Sequence, residues 1–419
     1  MQISLVGINH HTAPVAIREK AVIRAVKLGD SLELLRSHVS QGVILSTCNR
    51  TEVYTVTNND SQARALSLNF LQTHLDIPDN TLRRYTYVLE GEAVVEHLFC
   101  IACGLDSMII GEYEVLGQVR QALEVAEKAK MVSLPLRHLF QDAIRAGRRV
   151  REETEISKNA LSVSSVAVDL AAKTIGDLES CKMLVIGAGE AGRLAAKAAK
   201  DRGVSQIIVA SRTRERASTL AAALGGLPIN MNDLAEELNT CNLVVACAYA
   251  PHYLLDVCQV EVVMRHRPEL PLVIIDIAVP RNVAPAVAQI NNVFLYNIDD
   301  FTQISEQNRR QREGEIERAA KIIAAEMAEF TAWWRTLEVR PVVTALMKKA
   351  EDVRSAQLNK TLKKLRPLSD EERDNLAAMT KSIVTKILQD PIDYLKANAN
   401  SNGNYMEMLS ELFQLDVKQ

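Results

Sequence analysis

Gly187-Ala188-Gly189-Glu190-Ala191-Gly192 lies between an apolar run, Met183 to Ile186, and a helical pattern, Ala191 to Arg202. Few features limit what a chain can fold into as tightly as this one. Glycines spaced in this way permit a sharp turn, let a pyrophosphate approach the backbone and aim a helix N-terminus at its charge, provided a strand precedes and a helix follows. Further strands are expected at Gln206–Ala210, Leu243–Ala246, Leu272–Ile277 and Val293–Tyr296, with a helix at Thr213–Leu224. Strands alternating with helices over such a length mean a parallel sheet, and their apolar character means that both faces are covered. The fold class is therefore α/β, with a Rossmann-type domain over residues 158–300. The alternative is a glycine turn in an α/β domain that binds no nucleotide. The second strand runs into Ser211-Arg212-Thr213-Arg214. An NAD site carries an acid there and an NADP site carries basic or small polar groups, so Ser211 and Arg212 favour NADP; solvated arginines at a helix start are the alternative.

The flanking regions differ in pattern. Residues 1–157 mix strands (Ile3–Gly7, Val43–Leu45, Glu52–Thr57) with helical stretches at Ala16–Leu35, Val94–Cys103, Glu114–Lys130 and Leu134–Arg151. Residues 301–419 are helical. Phe301–Thr336 holds no proline and predicts a very long helix, which Pro341 should interrupt; further helices are expected at Val342–Leu365, Asp370–Gln389 and Tyr405–Phe413. Ser369-Asp370-Glu371-Glu372 offers a capping residue with acids in the first turn.

Charge and composition remove several function classes. Lys and Arg total 49 against 52 Asp and Glu, a net charge of −3, which does not suit a protein that coats nucleic acid. Aromatic residues at 4% are too few for a single-strand binder built on stacking. Any nucleic-acid contact needs a local patch, for which Arg145, Arg148, Arg149 and Arg151 are the candidates, unless they form a merely solvated face. No apolar run is long enough to cross a membrane, and the N-terminal residues read as a strand rather than a signal peptide. Seven scattered cysteines suit reduced thiols in the cytoplasm better than a disulfide framework.

Among those cysteines Cys48 stands out, in a polar turn between two expected strands and flanked by Thr47, Asn49 and Arg50. Arg50 could lower the thiol pKa and hold an anionic substrate, and turn amides could stabilise an oxyanion, which would make Cys48 a nucleophile. A small packing residue is the alternative. Cys100 and Cys103 have the spacing of a redox or metal pair but sit in an apolar helical pattern and read as core; Cys181, Cys241, Cys247 and Cys258 read as structural. On its residues alone His97 reads as a satisfied histidine sooner than as a catalyst, and His10 and His11 are ambiguous.

Taken together, the segments resemble the glutamyl-tRNA reductase family over essentially the whole chain. The resemblance rests on Gly7-Ile8-Asn9-His10-His11-Thr12-Ala13-Pro14, on Leu45-Ser46-Thr47-Cys48-Asn49-Arg50-Thr51-Glu52, on Gly104 to Glu112 with Leu116 to Val119, on the glycine motif, and on Asp276-Ile277-Ala278-Val279-Pro280-Arg281. It implies an N-terminal catalytic domain (1–157), a Rossmann NADPH-binding domain (158–300), and a long spinal helix with an all-helical dimerisation domain (301–419). It implies Cys48 as nucleophile, with His97 important beside it. It assigns substrate contacts to Thr47, Asn49, Arg50, Ser107, Glu112 and Gln118, and the cofactor to Gly187, Ala188, Gly189, Glu190, Ala191 and Gly192. Where the family commonly reads G-E-P-Q, this chain reads Gly111-Glu112-Tyr113-Glu114, so Tyr113 and Glu114 are carried as substrate-binding positions that change stiffness and charge. The implied reaction is NADPH-dependent reduction of glutamyl-tRNA to glutamate-1-semialdehyde by a V-shaped homodimer. A pyridoxal-phosphate aminomutase that takes up the unstable aldehyde is a possible docking partner. An NADP-dependent dehydrogenase similar to shikimate dehydrogenase and a catalytically silent NADPH-sensing dimer are the competing readings.

Overall fold

In the N-terminal third, β-branched and apolar runs form strands, and their burial on both faces shows that helices cover them. A computed structural model describes residues 2–57, 60–75, 77–158, 163–301, 309–365, 368–397 and 404–415. Its chain forms two compact units, Met1–Ala325 and Glu326–Gln419.

The first unit opens with strand β1 (Gln2–Asn9), helices α1 (Val15–Ala21) and α2 (Leu28–Arg36), and strands β2 (Gly42–Ser46) and β3 (Arg50–Thr57). Helices α3 (Asp60–His74) and α4 (Asp79–Tyr85), strand β4 (Tyr87–Glu90), and helices α5 (Glu92–Ala102), α6 (Glu114–Lys128) and α7 (Leu134–Glu153) follow. The four strands make an antiparallel sheet in the order β2-β3-β1-β4. The single helix expected over Ala16–Leu35 is broken after Ala21. Val22 turns extended, and the Ile23 amide donates to the Ser46 hydroxyl at 2.8 Å instead of continuing the helix.

Helix α8 (Val163–Ile175) leads into the second sheet. Strand β5 (Lys182–Ile186), α9 (Glu190–Asp201), β6 (Gln206–Ala210), α10 (Arg214–Leu224), β7 (Leu227–Ile229), α11 (Leu234–Leu238), β8 (Leu243–Ala246), α12 (Val257–His266), β9 (Leu272–Asp276) and β10 (Val293–Asn297) come in turn. The strands are parallel throughout, in the order β10-β9-β8-β5-β6-β7. The order reverses between β5 and β8, and ligands of such sheets bind at the carboxyl ends of the strands at that reversal. Val15, Met108 and Ile109 from the N-terminal region share one buried cluster with Val185, Val209, Val245 and Ile275 of this sheet. The two regions of the first unit are thus packed together.

Helix α13 (Glu313–Leu362) spans the division between the units and does not stop at Pro341. The expected interruption is corrected. A proline fits helical φ and removes one backbone hydrogen bond, and the long flanking segments of this helix outweigh that loss. Helices α14 (Asp370–Ala397), which also runs through a proline at Pro391, and α15 (Asn404–Leu412) complete the second unit. The capping signal at Ser369 is realised reciprocally: the Glu372 amide donates to the Ser369 hydroxyl and the Ser369 amide to the Glu372 carboxylate. Val353, Met379, Ile383, Ile387 and Leu412 leave apolar surface exposed on this unit. Residues 159–162, 302–308 and 398–403 lie outside the described residues, and with them the first turns of the helix expected from Phe301. Among the described residues no helix is long and apolar enough to cross a membrane.

Candidate active site

The turn that carries Cys48 is a short connection between paired strands, Ser46 of β2 standing opposite Thr51 of β3. Thr47 closes it. Its hydroxyl accepts from the amides of Asn49 (3.1 Å) and Arg50 (3.2 Å), and its own amide donates to the Arg50 carbonyl at 2.8 Å. Two turn amides expected to stabilise an oxyanion are therefore already engaged, so Thr47 shapes the turn at their expense.

Past the turn, Arg50, Glu52 and Tyr54 share one face of β3, because side chains alternate along a strand. Gly7 of β1 lies opposite Glu52, and a Cβ there would come within 2.8 Å of the Glu52 Cγ and 3.2 Å of the Tyr87 hydroxyl. The missing side chain lets a buried carboxylate gather its donors. The Glu52 carboxylate accepts from Arg50 Nη1 (2.9 Å), the Tyr54 hydroxyl (2.5 Å) and the Tyr87 hydroxyl (2.6 Å), and lies 3.0 Å from His97 Nε2. Burial alone would raise the Glu52 pKa; the Arg50 charge and the His97 contact overcome it and bring it down to about 2. Arg50 also binds the Asp106 carboxylate at 2.9 Å and the Asp106 carbonyl.

The guanidinium expected to activate the thiol is therefore turned onto Glu52 and Asp106. The cation that lowers the Cys48 pKa is Arg18 of α1, whose Nη1 donates to the Cys48 carbonyl at 2.8 Å and to Asn49 Oδ1 at 3.2 Å. Nothing in the sequence singled out Arg18, one arginine in a helical stretch. His97 sits behind Arg50 rather than on the cavity that Cys48 lines. His10 is buried among cations, and burial holds its pKa down near 3, so its ring is neutral; His11 reaches Asp106 at 3.1 Å.

Cys48 opens on a cavity of about 60 Å³, shared with Thr47, Asn49, Arg50, Ser107, Glu112, Glu114 and Gln118. Val163, Ser164, Ala191, Ile277 and Ile298 complete the wall from the parallel-sheet region. Of the expected substrate residues only Tyr113 is absent from this wall; it stands 62% exposed at the start of α6. Ile277, Ile298, Val163 and Ser164 were not anticipated. Ile277 could have been, since it follows Asp276 in a quoted motif. The Asp276 carboxylate accepts from the amides of Ala278, Asn282 and Val283 at 3.1, 2.7 and 2.8 Å and so fixes the loop that carries Ile277.

Burial pushes the Cys48 thiol up to about 12, and the neighbouring Glu112 adds to the rise. Burial likewise pushes Glu112 up to about 7, with Glu114 contributing. An acid whose folded pKa is raised binds its proton more tightly when folded, so it costs stability as pH rises from 4.5 to about 7. Glu112→Gln is accordingly expected to raise stability at pH 8 by on the order of 2–3 kcal/mol and to change little at pH 4. Thermal unfolding of both proteins across that range measures it, and parallel curves would contradict the shift.

At the other side of the cavity the three motif glycines have separate tasks. A Cβ on Gly187 (φ +120°) would lie 2.7 Å from the Ala248 amide nitrogen, and one on Gly192 would lie 2.1 Å from the Gly187 carbonyl, so strand, turn and α9 close together only without side chains. A Cβ on Gly189 would meet nothing within 4 Å beyond its chain neighbours, so this side of the turn is open, as a pyrophosphate against α9's N-terminus needs. Ala191 reaches both this turn and the Cys48 cavity. Arg212 stands exposed beyond β6 with Nη2 on the Tyr249 carbonyl at 2.8 Å, and the Ser211 hydroxyl accepts from the Thr213 amide at 3.3 Å. These residues fit a dinucleotide. Among the described residues no cluster of His, Cys, Asp and Glu suits a metal. Cys100 and Cys103 form no disulfide, and Cys103 is part of the core.

The arginines of α7 divide. Arg151 turns inward, donating to the carbonyls of Ala102 (2.8 Å), Gly147 (2.7 Å) and Glu112 (3.0 Å), which removes it from any phosphate footprint. Arg145, Arg148 and Arg149 line a groove of about 530 Å³ with Arg120 of α6, Arg145 pairing with Asp142 and Arg149 with Glu153.

Residues 6–154 match the family described as glutamyl-tRNA(Glu) reductase, N-terminal domain; residues 169–304 match shikimate / quinate 5-dehydrogenase; residues 318–415 match glutamyl-tRNA(Glu) reductase, dimerisation domain. The chain is 41% identical to the glutamyl-tRNA reductase of Moorella thermoacetica, covering 98% of this chain and 94% of that one. It is 39% identical to that of Natranaerobius thermophilus, covering 99% and 92%. The solved glutamyl-tRNA reductase of Methanopyrus kandleri matches with a TM-score of 0.50 at 33% identity, covering 97% of this chain and 99% of that one.

Proposed function

This chain belongs to the glutamyl-tRNA reductase family, and from that premise we propose that it reduces the glutamyl ester of tRNA to glutamate-1-semialdehyde with NADPH, through a thioester on Cys48. It is an oxidoreductase of tetrapyrrole biosynthesis with a nicotinamide-binding domain. The observation that carries the finer reading is a single cavity lined by Cys48, Glu112 and Ala191, so that a thiol, a carboxyl and the start of the nucleotide helix meet.

The Cys48 sulfur attacks the ester carbonyl; a C–S bond forms, the bond to the ribose oxygen breaks, and tRNA leaves as the alcohol, taking up a proton. In the empty cavity the thiol is held at about 12 chiefly by burial and then by Glu112, so acylation needs compensation. A glutamyl α-ammonium beside Glu112 supplies part of it, because a cation there offsets the carboxylate that adds to the effect of burial. Gly187 to Gly192 would hold the pyrophosphate of a dinucleotide, which when bound would supply the hydride that converts the Cys48 thioester to a thiohemiacetal. Cys48 then leaves as a thiol and frees the aldehyde. Two copies pair through the second unit, whose exposed apolar residues Val353, Ile383 and Ile387 need a partner surface.

The decisive test supplies glutamyl-tRNA and NADPH to the purified protein and looks for the semialdehyde. Turnover of a small hydroxy or keto acid without tRNA, and none of glutamyl-tRNA, would favour a dehydrogenase instead. Arg212→Ala should raise the KM for NADPH by roughly 10- to 100-fold, the worth of one charge-assisted phosphate contact, and leave NADH use unchanged. Equal losses with both cofactors would show that Arg212 does not read the phosphate. Replacing Arg120, Arg148 and Arg149 together should raise the KM for glutamyl-tRNA but not for NADPH and flatten its salt dependence, since phosphate contacts release counterions. An unchanged salt slope would move the tRNA footprint elsewhere.

A further inference from the structure

Two ion pairs join helix α1 to the parallel-sheet region, on adjacent residues. The Glu19 carboxylate receives Arg281 Nε at 3.0 Å, Arg281 Nη2 at 2.6 Å and the Arg281 amide at 3.2 Å. The Arg18 guanidinium donates from Nη2 to Asp299, which lies just past β10, and the other Asp299 oxygen accepts from the Val15 amide at 2.8 Å. A third contact stacks Arg24 over the Tyr249 ring at 4.3 Å.

The two ion pairs are not equivalent. Among the described residues Glu19 bonds to Arg281 and not to the nucleophile turn. Arg18 is only 3% exposed and spends its remaining donors on the turn and its approach: Nη1 on the Cys48 carbonyl and Asn49 Oδ1, Nε on the Ala13 carbonyl at 3.1 Å. A guanidinium is planar and rigid, so fixing one edge fixes the other. The cavity between the two regions holds about 60 Å³, room for a few waters, and both ion pairs tie α1 to the region on its far side.

We propose that Arg18 is a positioning residue: through Asp299 it transmits the seating of the nucleotide-binding region to the Cys48 turn, so that the nucleophile is aligned only when the two regions are together. The proposal rests on the reading of Cys48 as the acylated residue. It separates acylation from mere closure, because Asp299 and Glu19 both hold the regions together but only Asp299 is linked to the turn.

The test is single-turnover transfer of labelled glutamate from tRNA onto the full-length protein without NADPH, followed as protein-bound label on an acidic denaturing gel. Asp299→Asn should slow transfer on the order of tenfold, as misplacement of a reacting group does, while Glu19→Gln stays within about twofold of the unchanged protein. Arg18→Lys, which keeps the charge but loses the fork, should slow transfer at least as much as Asp299→Asn. Thermal unfolding of each variant, run in parallel, identifies any loss due to misfolding, and the Asp299 and Glu19 pair carries the test if Arg18 variants fold poorly. Transfer at the unchanged rate in Asp299→Asn, or equal slowing in Glu19→Gln, would overturn the coupling. Cys48→Ser must acquire no label; if it does, the reading of Cys48 fails first and takes this proposal with it.

Discussion

Cys48→Ser is expected to lose reduction of glutamyl-tRNA by roughly three orders of magnitude or more, with no change in unfolding temperature. The replacement is nearly isosteric and sits in a turn whose shape comes from Thr47, not from the sulfur. Its chemistry is what changes. A hydroxyl in this cavity is a weaker nucleophile than a thiol, and the oxyester it would form accepts hydride poorly. Without NADPH the unchanged protein should slowly release glutamate as water intercepts the thioester, and the variant should not. Release at the same rate from both proteins would place the acyl group elsewhere. Comparable reduction by both would end the thioester mechanism.

Glu52→Ala should produce the largest loss of stability, about 3 kcal/mol at pH 7, because it leaves Arg50 buried with part of its counter-charge gone and strands two tyrosine hydroxyls. Arg50 keeps Asp106, which is why the loss should fall at the lower end for a broken buried pair. The pH dependence has a definite sign. The Glu52 folded pKa, about 2, lies below its ordinary 4.5, so its contribution is fully present above 4.5 and disappears as pH falls toward 2. The gap between unchanged and Glu52→Ala proteins in urea unfolding should therefore narrow in acid. A gap that stays constant from pH 7 to pH 3 would mean that lost packing, not charge, is responsible. Combining Glu52→Leu with Arg50→Met should recover much of the stability, since a buried ion pair is replaceable by apolar groups when both partners go. Activity should not return with it, because Arg50 is one wall of the Cys48 cavity.

How far these features were legible depended on their range along the chain. The glycine turn was readable because its work is local: strand, turn and helix are contiguous, and the clash of a Cβ at Gly192 with the Gly187 carbonyl follows from the motif's own spacing. The reciprocal cap at Ser369 was readable for the same reason. Cys48 could be marked as a turn cysteine between strands, though only resemblance to a family separated a nucleophile from a packing residue.

Other features depended on distance in sequence or on competition in space. Arg50 looked like the partner of its neighbour Cys48, but strand alternation put it on the face of Glu52, and Asp106, 56 residues away, took its remaining donors. Arg151 read as part of a phosphate-binding cluster until helix packing turned it toward three backbone carbonyls. Pro341 carried a local signal to stop a helix, and the length of helix on either side outweighed it. By itself the sequence determined the α/β class, the glycine turn and the place of Cys48 in a turn between two strands, because each is set by neighbours in the chain. Which cation faces that thiol was decided only by the tertiary structure. Arg18 and Asp299 lie 281 residues apart, and their meeting depends on how two distinct sheets pack within one unit, which no local pattern encodes.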